Sequence, residues 1–222
     1  MSQQKNPNLI DSIQSEVSKE ASPLLEFLIR NSKKIALGVA LVVIVAVAYG
    51  SYTLYADGVV EDAREELGRI VVRPDSPEKI QNLLSFAESA PGELKIAALM
   101  AAASAATAGE DHELAADAWA RVAELSGEPM YFSAKMGEAG ALSRQGKDQE
   151  ALDLLLSLQP KVPAAMLPVL NGMIIETAEQ LGRWDVAMGA CEAVIGNDEV
   201  NMDKSFWRQR LEYLRLKQAE GS

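Results

Sequence analysis

The chain has little of what catalysis needs: one cysteine and one histidine in 222 residues. Cys191 alone can form no internal disulfide, and His112 alone builds no metal site without carboxylate help. No glycine-rich phosphate loop, HExxH helix, cysteine pair or G-x-S-x-G turn is present. A Ser-His-Asp site would have to be assembled on His112, inside an acidic helix start. The sequence therefore reads as a non-enzyme with no catalytic residue, metal or cofactor. Asp111 and Glu113 beside His112 offer cation ligands by spacing alone, which is weak grounds for a site. Cys191 is expected as a small apolar core residue and His112 as a solvated residue near a helix start. Positive charge is also scarce. Five of the 21 basic and four of the 32 acidic side chains precede residue 35, leaving 16 against 28 and a net charge of −12 beyond it. That excess repels nucleic acid and anionic headgroups alike, so nucleic acid is excluded as a partner.

What the chain does have is one uncharged run, IALGVALVVIVAVAYGSYTLY, over residues 35–55. About 20 apolar residues are what a helix needs to cross roughly 30 Å of hydrocarbon. About ten Ile, Leu and Val residues at roughly −0.3 to −0.6 kcal/mol each give a net insertion free energy near −4 kcal/mol. Ala46-Val47-Ala48 is an A-x-A site of the kind signal peptidase cuts. The leader would be unusually long, however, and the apolar character continues through Tyr49, Tyr52, Leu54 and Tyr55, placed as an interfacial aromatic belt. Arg30, Lys33 and Lys34 precede the run and Asp57, Glu61 and Asp62 follow it. Positive flanks stay in the cytoplasm. The expectation is a single-pass membrane protein: a cytoplasmic N-terminal stub over 1–34, the transmembrane helix over 35–55, and everything after it outside, which for a bacterial inner (cytoplasmic) membrane is the periplasm. In the stub, Leu9, Ile10, Ile13 and Val17 recur at helical spacing and predict one short amphipathic helix.

Beyond the membrane no strand-type alternation occurs, and the pattern is helical between short breaks near Pro74, Pro91, Gly127 to Pro129 and Pro160 to Pro163. The fold class is all-α. The span is expected to continue as helix to about Arg69, followed by helices near 77–90, 92–108, 111–126, 130–145, 148–159, 164–181, 184–196 and 203–219. Residues 56–91 form juxtamembrane and linking helices, and 92–222 a repeat domain. Three helix pairs turn at Gly109, Gly146 and Gly182, spaced by about 36 residues. Each glycine is expected at positive φ, ending one helix so the next packs antiparallel. Small residues follow each turn: Ala151 and Ala187 at Gly-x4-Ala spacing, and Ala115 with one residue inserted.

This combination resembles the tetratricopeptide-repeat family, in degenerate form: the first-helix Trp and Leu-Gly of the consensus are missing and the terminal proline is displaced. A generic array of helical hairpins fits the same residues. The whole layout is a stub, a Gly- and Val-rich span containing Gly38 and Gly50, an acidic helix from Asp57 to Leu67, then degenerate repeats. It resembles the YfgM family, the ancillary subunits of the Sec translocon. The resemblance implies a single-span inner-membrane protein whose periplasmic repeats associate with Sec translocon subunits and a membrane-anchored, prolyl-isomerase-like periplasmic chaperone.

Stacked hairpins leave a concave surface lined by the first helix of each pair, a surface for proteins or exported polypeptides. Counting back from the turn glycines puts Leu99, Ala103 and Ala106 on it in the first unit, Met136, Gly140 and Arg144 in the second, and Gly172, Glu176 and Gln180 in the third. The lining then runs from apolar to polar, and its Met-containing end suits loosely specified polypeptide. Packing against neighbouring helices is the other role these residues can have. The terminal segment, with Asp203 as N-cap and Phe206, Trp207, Leu211 and Leu214 on one face, is expected to cap the array. Its bases Lys204, Arg208, Arg210, Arg215 and Lys217 lean on carboxylates, meet a partner or stay solvated. Two readings of function remain open: an adaptor at the Sec channel, or a repeat scaffold of another envelope complex serving secretion, division or respiration.

Overall fold

The structure is a computed structural model that describes residues 32–220, with side chains described at 41–50 and 58–220. The expected stub helix lies outside the described residues. Among those residues every regular element is a helix: α1 Ser32–Val71, α2 Pro77–Ser89, α3 Gly92–Ala108, α4 His112–Leu125, α5 Met130–Arg144, α6 Asp148–Leu158, α7 Leu167–Gln180, α8 Trp184–Gly196 and α9 Ser205–Glu220.

The chain divides into two units, Met1–Val59 and Val60–Ser222. In the first, Leu41, Val42, Val43, Ile44, Val45 and Val47 are all more than half exposed, on every side of α1. No helix among the described residues is long and apolar enough to cross a membrane. The expected span over 35–55 enters the described side chains only at 41–50.

The second unit starts with the last turns of α1, where Leu67 and Ile70 are buried with α2 and α3. From α2 to α9 each helix packs on the next in sequence, and α5 also touches α7. Neighbour-only packing is what stacked hairpins produce, because each hairpin buries its apolar face only against the next. The core falls into two clusters that meet at α5. Ala134 and Ala141 join the one reaching back to α1, while Phe132, Met136 and Ala139 join the one reaching forward to Trp207, Leu211 and Leu214 of α9.

The turns repeat in detail. Gly146 and Gly182 have φ of 77° and 69°, as expected, but Gly109 has φ −84° and Glu110, at φ 60°, takes the left-handed position. The left-handed residues are thus 110, 146 and 182. Each is followed by a backbone bond that closes the helix end: Asp111 N to Ala106 O at 2.9 Å, Lys147 N to Leu142 O at 3.0 Å and Arg183 N to Ala178 O at 2.7 Å. These are Schellman-type closures, normally built on glycine. With Glu110 as reference, the first unit loses its inserted residue. Ala115, Ala151 and Ala187 follow at one spacing, and all three are fully buried where two helices meet.

Two boundaries differ from expectation. α7 begins at Leu167 rather than near 164, since Pro163 to Leu167 form a turn with Met166 N bonded to Pro163 O at 2.9 Å, and Pro168 sits in the first helical turn. α9 begins at Ser205, with Asp203 Oδ1 accepting from Ser205 N at 2.9 Å. That bond, with a second from the Ser205 hydroxyl, holds the Asp203 carboxyl below its usual range.

Candidate functional site

The exposed faces of α3, α5 and α7, with Trp119 of α4, line a groove of about 650 Å³. Met136, Gly137 and Gly140 form its floor, Met173 and Val169 one wall, and Ser104, Thr107 and Ala108 the other, with Arg144 at one end. Glycine on α5 shapes that floor. A Cβ on Gly137 would stand 2.7 Å from Trp119 Cδ2, so the indole packs flush on backbone, and a Cβ on Gly140 would reach Met173 Cε at 3.6 Å. Without side chains there, two adaptable methionines and an aromatic ring form the lining. Polar groups gather where the first helices end. Ser143 Oγ donates to Asp148 Oδ1 at 2.6 Å and lies 3.1 Å from Gln180 Oε1, joining α5 to α7. Gln145 Nε2 donates to His112 O at 2.8 Å, joining α5 to α4. Arg144 is exposed and has no hydrogen bond or ion pair among the described residues.

A second, smaller pocket of about 270 Å³ lies between α7 and α9, lined by Gly172, Ile175, Glu176, Phe206, Trp207 and the Arg210–Glu179 pair. Arg210 Nη2 is 2.8 Å from each oxygen of the Glu179 carboxylate. Both pockets share α7.

Of the nine residues predicted for the concave surface, Met136, Gly140 and Arg144 line the groove, and Gly172 and Glu176 line the second pocket. Gln180 is exposed and bridges toward Ser143. Leu99, Ala103 and Ala106 are not on the surface; all three are fully buried. The cause is the reference residue. Counting from Gly109 instead of Glu110 slips Leu99 and Ala103 by one residue, a rotation of about 100° that carries a position from the open face into the core, and Ala106 stands two residues from the corresponding Ala108. With the correct reference, Met100, Ser104 and Ala108 are the equivalents of Met136, Gly140 and Arg144, and the groove indeed takes Ser104 and Ala108. Spacing to the buried alanines gave that signal. The inserted residue before Ala115 vanishes once residue 110 carries the turn.

His112 is half-buried rather than solvated, and its Nδ1 is buried without a partner. Among the described residues no group of three or more His, Cys, Asp or Glu side chains converges as a metal site. Cys191 is fully buried, and burial, helped by Glu179 and Glu192 and opposed by Arg210, pushes its thiol up to about 11. A thiol so placed is no nucleophile near neutral pH. No family model, no curated protein and no solved structure matches the chain.

Proposed function

We propose that this protein is a non-enzymatic repeat scaffold, anchored in a bacterial inner membrane by one helix over 35–55, that binds polypeptide along the concave face of α3, α5 and α7 on the periplasmic side. The observation that carries the reading is the groove itself. It is open, floored by backbone at Gly137 and Gly140, and lined by Met136, Met173 and Trp119. Adaptable apolar lining with Arg144, unpaired among the described residues, at one end suits partners recognised loosely by shape and hydrophobicity.

Two further observations support the anchor. A helix apolar on all sides has no water-facing stripe, so it needs protein or lipid around it. The bases before and the acids after the span set the orientation. Together with the resemblance to the YfgM family, this gives the specific form of the proposal: an ancillary subunit beside the Sec channel, shared with a membrane-anchored periplasmic chaperone of prolyl-isomerase type. The test is photocrosslinking in cells from positions 104, 140, 144, 169 and 176, with positions 99, 103 and 106 as buried controls. Adducts with Sec translocon subunits or that chaperone from the first set alone support the reading. Adducts confined to a secretion, division or respiratory assembly replace the translocon with that machine, and adducts from neither set end the groove proposal.

A further inference from the structure

The pocket between α7 and α9 differs in chemistry from the groove. Its floor is bare at Gly172, where an added Cβ would meet nothing within 4 Å. Ile175 and the edge-on pair Phe206 and Trp207, with ring centroids 5.5 Å apart, give apolar walls, and Phe206 is 62% exposed. Arg210 is neutralised by both oxygens of Glu179, so it has no charge left over for an anion. Glu176, exposed at the rim, has no hydrogen bond or ion pair among the described residues. Glu176 is therefore the uncompensated charge among the residues lining the pocket; the part of the chain beyond residue 34 is acidic in sum, although α9 itself carries four bases against two acids. A cation is drawn to such a field and gains further over an exposed aromatic face.

A long alkyl stem ending in a positive head matches this arrangement: stem over Gly172 and Ile175, head between Glu176 and the Phe206 ring. One more feature separates a peptide from a free amine. Trp207, one of the lining residues, has a buried indole N–H with no acceptor among the described residues, and a buried donor without a partner costs about 1–3 kcal/mol. A polypeptide brings backbone carbonyls, which the indole N–H would meet after a small rotation of the Trp207 ring toward the pocket. We propose that this pocket takes a lysine or arginine side chain of a bound polypeptide. The inference rests on the reading of the adjoining groove as a polypeptide site and adds a residue preference to it.

The experiment uses the full chain in nanodiscs and fluorescence anisotropy of 12-residue labelled peptides, alike except for one central Arg, Lys, Gln or Glu among Leu and Ala. The Arg and Lys peptides are expected to bind about fivefold or more tighter than the Gln peptide, a margin that shrinks as salt rises. Glu176→Gln, on an exposed side chain, is expected to erase that margin with an unchanged melting temperature, and Gly172→Met to weaken the Arg and Lys peptides by filling the floor. Equal binding of the Arg and Gln peptides, or a margin untouched by Glu176→Gln, overturns the proposal. If binding is then abolished by Val169→Asp in the groove, the groove reading stands without it. If no peptide binds the full chain, both fall. Arginine amide competing as well as the Arg peptide overturns the polypeptide part.

Discussion

Glu110 occupies a backbone conformation that costs a residue with a side chain about 1–2 kcal/mol, at a position where the two equivalent turns have glycine. Glu110→Gly is therefore expected to raise stability by about 1 kcal/mol in urea unfolding, while Gly146→Ala and Gly182→Ala each lower it by a similar amount. The same logic of space decides the helix glycines. Gly137→Ala gains helix propensity but drives a methyl into the Trp119 ring, which is too large to step aside. A net loss of about 1–2 kcal/mol is expected. Gly189 of α8 has open space around its missing Cβ, and Gly189→Ala is expected to gain about 0.5–1 kcal/mol. Cys191 makes a prediction about pH. Its folded pKa, about 11, lies above the ordinary thiol value near 8.5, so the folded state keeps a proton that the unfolded state releases in between. Its contribution is complete below about pH 8.5 and fades as pH climbs toward 11, by up to about 3 kcal/mol. Urea midpoints of wild type and Cys191→Ala followed from pH 8 to 11 should converge, and maleimide at pH 8 should label Cys191 only after unfolding. Parallel decline of the two proteins would remove the thiol from this account.

At the level of the element, helices were legible because apolar periodicity and turn chemistry agree, so α2 to α6 and α8 lie within a residue or so of expectation. What pattern could not supply was polar closure between elements. Lys204, a base of the terminal segment, spends its ammonium on the end of α8, donating to Ile195 O at 3.0 Å and Asn197 O at 2.7 Å. Ile195 O belongs to the last turn, where helix carbonyls lack partners of their own, Asn197 O also accepts from Val200 N at 3.3 Å, and a cation there suits the helix dipole. Lys79 does the same for the loop after α1, through Arg73 O at 2.8 Å and Asp75 at 2.9 Å. Asn171, fully buried in α7, is satisfied by Gln159 across the preceding loop at 2.6 Å and by Leu167 O at 2.9 Å. None of these bonds follows from periodicity, since each depends on where a long side chain reaches in three dimensions. The groove lining was legible for α5, where glycine marks the turn, but on α7 the groove takes Val169 and Met173 while the expected Gly172 and Glu176 line the second pocket, and α3 was misread because glutamate takes its turn. Lys204→Met is expected to cost about 1–2 kcal/mol. Amide hydrogen exchange should quicken at the end of α8 and in α9 while α3 to α5 stay as protected as before, because coupling in such an array passes only between neighbours.

For the whole molecule the decisive matter is what surrounds α1. Leu41 to Val45 and Val47 present side chains all around the helix, and Ile44 is 67% exposed. In water that would be an apolar sleeve with no polar face, the arrangement soluble proteins avoid. In a bilayer each of those residues is favourable by roughly 0.3–0.6 kcal/mol, whereas one lysine at the centre costs about 3 kcal/mol. Ile44→Lys should therefore cancel most of the drive for insertion without touching the repeats, whose core begins at Leu67. Val169→Lys is the matched control, since Val169 is nearly as exposed at 61% but lies on the groove wall. The expected outcome is that wild type and Val169→Lys stay in the membrane pellet after carbonate extraction at high pH, while Ile44→Lys moves largely to the supernatant or to aggregate. On the proposed orientation, with the bases at 30, 33 and 34 inside, protease added to spheroplasts should cut the wild-type repeats but not the stub. Wild type released by carbonate, or a stub cut from outside, would leave the groove with no reason to sit beside an export channel.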